Sequence, residues 1–293
     1  MAWTTSPKVM QLRRRSAAID VVVETLDGFR RHLTSRNAAV LAYYGFLTLF
    51  PLLMAATTIL GFVLEGDPEL QADIVDSALS QIPVLGADLE PGSTIDGNWW
   101  ALAIGLGIAL WGSLKAFVGL QSALDDIWEV PIDDRANGAI QRVKALVGIA
   151  VIGVGQVGAV ALAAVVSEAG LPAASQVLVT LGGLVLNAVV VGTMYRYLTS
   201  RAVTWQMVWA GAVFTAVLYT VLQFVGTRIV TNTLDDAESV YGTFAATLAL
   251  LSWLSLHALI SLFGAELNAA LVRRREQPAS PDPITAPAAT SGT

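Results

Sequence analysis

Apolar residues fall into six long runs, at about 38–64, 99–119, 145–167, 175–197, 205–227 and 242–271, separated by shorter polar or charged stretches. Each run is long enough to cross a hydrocarbon core of about 30 Å at about 1.5 Å of helical rise per residue. The third and fourth runs are joined by Glu168-Ala169-Gly170-Leu171-Pro172. Its glycine and proline break a helix, so these runs are two spans and not one. The pattern predicts an all-α integral membrane protein with six transmembrane helices.

The flanks read differently. Residues 1–15 are polar and basic and are expected to form a flexible N-terminus. Over residues 16–35, Ile19, Val22, Val23, Leu26, Phe29 and Leu33 recur at spacings of three and four among acidic and basic residues. That spacing predicts an amphipathic helix, too polar to cross a bilayer, lying on the cytoplasmic surface or under the bundle. In the 65–98 loop, Leu70, Ile74, Val75, Leu79 and Ile82 predict a second amphipathic helix, on the outer face. The membrane domain is thus expected over 36–275, followed by a Pro-, Ala-, Ser- and Thr-rich disordered tail at 276–293.

Charge sets the orientation. Sixteen of the 17 Lys and Arg residues fall on one side of the six-span arrangement, while the 65–98 loop has none and carries eight acidic residues. The positive-inside rule then places both termini in the cytoplasm, N-in and C-in. The net charge of −6 is an average over two segregated sides. The first run is too long for a signal h-region and reads as an uncleaved anchor.

Composition narrows the function classes. Hydrophobic residues make up 55% of the chain and charged residues 14%, outside the range of soluble domains. There is no cysteine, and the two histidines, His32 and His257, lie on different elements. Neither a thiolate nucleophile nor a His/Cys metal site can be assembled, and no phosphate-binding loop is present, so neither enzyme activity nor a cofactor is expected. The partners expected are membrane lipids, with anionic headgroups at the basic face; nucleic acid is not expected, and a homo-oligomer is left open.

Several residues are candidates for a path. Pro51 removes a hydrogen bond in the first span and predicts a kink, read either as a static bend or as a break lining a path beside Tyr44. Gln156, Asn187 and His257 fall near mid-membrane, and Asn268 shares a face of the last span with His257. Together they form a candidate cavity lining; singly, each fits an interhelical hydrogen bond. Lys115 lies about 24 Å along the second span and Glu266 about 36 Å along the sixth, both toward the inner side. They are expected to form a buried ion pair, with the sixth span central in the bundle. The acids at Asp125, Asp126, Glu129, Asp133 and Asp134 read as a solvated extension of the second span.

Three motifs carry a family resemblance. They are Ala42-Tyr43-Tyr44 with Thr48-Leu49-Phe50-Pro51-Leu52-Leu53; Leu110-Trp111-Gly112-Ser113 followed by Leu124-Asp125-Asp126-Ile127-Trp128-Glu129-Val130; and Tyr241-Gly242-Thr243 through Leu262-Phe263-Gly264-Ala265-Glu266-Leu267-Asn268. Over roughly residues 25–273 the chain resembles the YihY/BrkB family of bacterial inner-membrane proteins. The resemblance implies a six-span helical fold in the cytoplasmic membrane. The family has carried the labels virulence factor BrkB and ribonuclease BN; nothing in this sequence can hold the metals or supply the acid–base pair of a nuclease. The leading expectation is a transporter or lipid-translocating envelope protein. The alternative is a membrane scaffold or regulatory protein whose buried polar residues serve packing.

Overall fold

The computed structural model describes residues 6–63, 99–168, 175–241 and 244–276. Among them the chain forms α1 (Pro7–Arg15), α2 (Ala17–Arg31), α3 (Thr34–Val63), α4 (Trp99–Ile127), a 3-10 turn (Ile132–Asp134), α5 (Gly138–Glu168), α6 (Ser175–Leu198), α7 (Trp205–Tyr241) and α8 (Phe244–Glu276). No strand occurs among the described residues. Five stretches are long and apolar enough to cross a membrane: Ala103–Ile127, Gly138–Gly155, Val177–Leu198, Trp205–Gly226 and Thr247–Glu276. The first predicted span corresponds to α3, a helix of 30 residues that continues through Pro51. The side chains from 50 to 63 lie outside the described residues, as do the 65–98 loop, the 169–174 hairpin and the tail from 277.

The long helices close into a ring in chain order. Each of α3 to α8 packs on its sequence neighbour, and α8 returns to α3; α8 also meets α4 and α2. Small residues permit the close approaches, as at Ala38 and Ala42 on the inward face of α3, which are 0% and 3% exposed. Large apolar side chains such as Ile104, Val154, Val185 and Phe224 point away from the ring, as a lipid-facing perimeter requires. The α8 helix is central in its second half, where Leu262, Ala265, Glu266, Asn268, Ala269 and Ala270 are all buried. Its first half turns outward at Leu251, Ser252 and Leu256.

The main core gathers at one end of the ring. Leu124, Ile127, Trp128, Tyr195, Leu198, Val208 and Leu262 pack together where α4, α6 and α8 end and α7 begins. The basic residues Arg13, Arg31, Arg135, Lys144, Arg201 and Arg273 make their contacts at this same end.

Three expectations are corrected. Pro7–Arg15 forms a helix, and Arg13 joins α1 to Asp20 and Glu24 of α2 at 2.6 and 3.0 Å. Burial opposes the charge on Arg13, but its hydrogen bonds and attraction to those two acids outweigh that cost and raise its pKa. The face that α2 buries is Val21, Thr25 and Gly28 with Val23, while Ile19 and Val22 point outward. Finally, Asp125 is not solvated but 1% exposed, while Glu129, Asp133 and Asp134 are exposed as expected.

Candidate functional site

The Leu124–Val130 motif builds the hub of the basic end. The α4 helix stops in a left-handed turn at Glu129 (φ 54°), closed by Val130 N–H donating to Asp125 O at 2.8 Å and Glu129 N–H to Asp126 O at 3.1 Å. Glycine is the usual residue at such a helix end, and a side chain there costs about 1–3 kcal/mol. The Glu129 carboxylate is held between Arg31 Nη2 at 2.9 Å and Arg273 Nη1 at 3.5 Å. Asp125 accepts hydrogen bonds from Ser200 N–H and Oγ–H, at 2.7 and 2.8 Å, and so fixes the α6–α7 turn. From that turn Arg201 lies over the Trp128 ring at 5.5 Å and reaches Glu276 at 3.0 Å.

Glu266 is the centre of this end. It is 0% exposed and draws two donors onto one oxygen: His32 Nδ1 at 2.8 Å and Thr34 Oγ1 at 2.9 Å, both to Oε1. A carboxylate only accepts, so Nδ1 carries the proton. His32 and Thr34 flank Leu33, whose left-handed backbone (φ 53°) turns both side chains toward α8. Among the described residues, the other oxygen, Oε2, is buried with no hydrogen-bond partner, and so are His32 Nε2 and Arg273 Nη2. Gly28 of α2 stands directly against this gap: a Cβ there would overlap Glu266 Oε2 and lie 3.3 Å from Arg273 Nη2. Glycine thus leaves room for the Glu266 carboxylate, which a larger residue would have to push aside.

A second polar region runs between α6, α7 and α8. Tyr195 Oη pairs with Thr215 Oγ1 at 2.9 Å and donates to Ser261 O at 2.5 Å; Tyr219 Oη pairs with Ser261 Oγ. Asn268 accepts from Gly211 N–H at 2.6 Å and donates to Val208 O at 3.0 Å. Gly211 and Gly264 let the two backbones touch, since a Cβ on Gly211 would overlap Gly264 O.

The candidate path residues whose side chains are described, Tyr44, Asn187, His257 and Asn268, have separate surroundings. Tyr44 packs edge-on against Trp111 at 6.3 Å. The side chains of Pro51 and Gln156 lie outside the described residues. Asn187 is exposed on α6, on the perimeter. The His257 ring sits between Tyr219 and Trp253, at 4.8 and 4.9 Å. Asn268 spends its amide on α7. The expected Lys115–Glu266 pair is absent: Lys115 is exposed on α4, and Glu266 is turned toward α2 and α3. Helical depth placed both residues toward the inner side but carried no information on which face of α8 meets which neighbour.

Two clefts open beside the hub. One, of about 230 Å³, lies among Trp128, Arg201, Ala269, Arg273 and Glu276. The other, of about 300 Å³, lies among Trp128, Pro131, Asp134, Ser200 and Arg201. Neither is lined by Tyr44, Asn187, His257 or Asn268.

The residues that matter most here, His32, Thr34, Gly28, Arg273, Trp128 and Arg201, come from five separate segments. Gly28 and His32 sit on a helix whose docking under α8 no local pattern announces. A visible signal was Glu129 following Trp128, where a non-glycine residue ends a long helix.

Comparison with known proteins agrees with this architecture. The inner membrane protein YhjD of Escherichia coli (strain K12) is 26% identical over 154 residues, covering 50% of this chain and 44% of YhjD. The chain thus spans less than half the length of that relative. No solved structure matches it. The pattern of the virulence factor BrkB family matches residues 25–289, which include the hub motif, α2 from Thr25 and all of α8. The chain is a membrane protein of the virulence factor BrkB family.

Proposed function

We propose that this chain is a six-span protein of the bacterial cytoplasmic membrane that moves a lipid or small solute, with both termini on the cytoplasmic side. The span count rests on α3 in addition to the five apolar stretches. The orientation rests on the gathering of basic side chains at one end of the ring, which the positive-inside rule assigns to the cytoplasm. The name of the similar E. coli protein, an inner membrane protein, supports the location.

The observation that carries the transport reading is the half-bonded Glu266. A wholly buried carboxylate with one oxygen lacking a hydrogen bond, near a buried guanidinium nitrogen that also lacks one, is costly in a static scaffold. It fits a site that exchanges partners as something passes. The α2 helix, packed on α8 with Gly28 at the gap, is the element that must shift for that exchange.

The reading is non-enzymatic. His32 and Thr34 both donate to Oε1, so the threonine hydroxyl is not bonded to the imidazole that would have to activate it. The second reading, a scaffold, is favoured by the fully bonded α6–α7–α8 seam and by clefts that stay at one end of the ring.

Reconstitution in proteoliposomes tests the choice, with flux followed for a labelled anionic phospholipid and a panel of small solutes. Transport predicts wild-type flux above empty vesicles, and Glu266→Gln at the empty-vesicle level with the fold retained by circular dichroism. Wild-type flux equal to that of empty vesicles across the panel favours the scaffold.

A further inference from the structure

We propose that the cleft between Trp128, Arg201 and Arg273 is a binding site for a phosphate group, either a phospholipid headgroup or a free phosphate. It goes beyond the transport reading, because binding is measured without flux.

The argument begins with unused donors. Trp128 is 5% exposed, forms a wall common to both clefts, and its Nε1–H has no acceptor among the described residues. A buried indole N–H normally finds a partner, so this one calls for an acceptor that the described residues do not supply. Two guanidinium groups stand on the same cleft. The Arg201 guanidinium carbon lies 5.5 Å from the centre of the Trp128 ring, within cation–π range. Arg273 lines the opposite wall and is itself under-bonded, with Nε lying 3.3 Å from Glu24 without hydrogen-bond alignment.

Two guanidinium groups and an indole border this space of about 230 Å³, together with the carboxylates of Glu129 and Glu276. A phosphate matches this chemistry: it presents several acceptor oxygens to the planar forks, and it carries the charge that two arginines favour. Ala269 and Val272 supply the apolar part of the lining on the α8 side. Where basic residues gather at a helical membrane protein's inner end, the headgroup layer provides this ligand at high local concentration.

The cleft also contains its own competitors. Glu276 reaches Arg201 at 3.0 Å and Glu129 reaches Arg273 at 3.5 Å, on side chains that are 55% and 52% exposed. Such exposed pairs are weak, so an incoming phosphate displaces them at small cost. They act as stand-in anions at the cleft.

The test uses the full chain, delipidated in a maltoside detergent. Phosphatidylglycerol binding is read by native mass spectrometry, and inorganic phosphate binding by calorimetry. The proposal expects Arg201→Gln to weaken binding at least tenfold and Trp128→Phe to weaken it several-fold. Glu276→Gln, which only removes a competitor at an exposed helix end, should tighten binding about threefold even if a buried variant fails to fold. Phosphatidylglycerol binding with this pattern assigns the site to a lipid headgroup. Phosphate binding with the same pattern, and none by the lipid, assigns it to a soluble phosphate. Binding that Arg201→Gln and Glu276→Gln both leave unchanged, or no binding of either probe, overturns the proposal.

Discussion

The polar seam between α6, α7 and α8 and the polar cluster at the basic end of α8 are neighbours on the same helix, but they are built differently. In the seam, Tyr195, Thr215, Tyr219, Ser261 and Asn268 all find partners, and the backbones meet at Gly211 and Gly264. A few residues on, Glu266 and Arg273 each keep a buried atom unpaired. All six unpaired buried side-chain atoms among the described residues belong to His32, Gln121, Trp128, Glu266 and Arg273, at the basic end. Satisfied polar groups hold helices in one arrangement, whereas unsatisfied ones mark a place able to take another partner. The contrast separates the part of the molecule that fixes the ring from the part with capacity to change.

The largest effect is expected in the seam. Gly264→Leu drives a side chain into Gly211 O, Thr215 Oγ1 and Tyr195 Oη, and two helix backbones cannot yield as a flexible side chain can. The loss should reach or exceed the upper end of the about 1–3 kcal/mol typical of overpacking. Thermal unfolding in detergent, followed by tryptophan fluorescence, checks it. A Gly264→Leu protein as stable as wild type would mean that the seam is not the rigid element.

Gly28→Val probes the other region and should separate stability from activity. Its side chain fills the gap at Glu266 Oε2 and Arg273 Nη2, but the atoms it meets are the ends of longer side chains that can move aside. The stability cost should stay near about 1 kcal/mol, the low end for overpacking. Flux in proteoliposomes should nevertheless fall to the empty-vesicle level. Normal flux with the gap filled would show that the unpaired atoms are incidental.

Much of the architecture was legible because it follows from bilayer physics. Apolar runs, the Gly-Pro hairpin and the side-segregated basic residues each report on a one-dimensional property of the chain. The five apolar stretches and α3 fall where those runs predict. The site was less legible because it depends on which helix faces which. Glu266 was singled out by its charge alone, and its depth pointed equally to Lys115 and to any other inner group. Its real partners, His32 and Thr34, are brought over by the left-handed turn at Leu33, and a leucine gives no local sign of that conformation. Asp125 was misread for a related reason. A run of acids looks solvated until the α6–α7 turn supplies Ser200 to bury it.

A smaller effect is expected from Tyr195→Phe, which returns the comparison to the seam. The change removes one hydroxyl that bonds Thr215 and the Ser261 carbonyl and leaves the ring packing intact. Interhelical hydrogen bonds inside membranes average about 0.6 kcal/mol, since the freed groups find other partners. A shift of that size in unfolding, with flux unchanged, is the expected result. Lost flux with little change in stability would place the seam on the moving side of the comparison.

The smallest effect belongs to Lys115→Ala. Lys115 is exposed on α4 and forms no ion pair among the described residues, while Glu266 has its donors elsewhere. A lysine at the ring's perimeter extends its stem along apolar surface and carries its charge toward the headgroup layer, so it needs no protein partner. Alanine at this position should therefore leave both unfolding and flux at wild-type values, in contrast to Glu266→Gln. If Lys115→Ala instead reproduced the loss expected of Glu266→Gln, the two residues would have to meet in another arrangement of the ring, and α4 would join α2 among its moving parts.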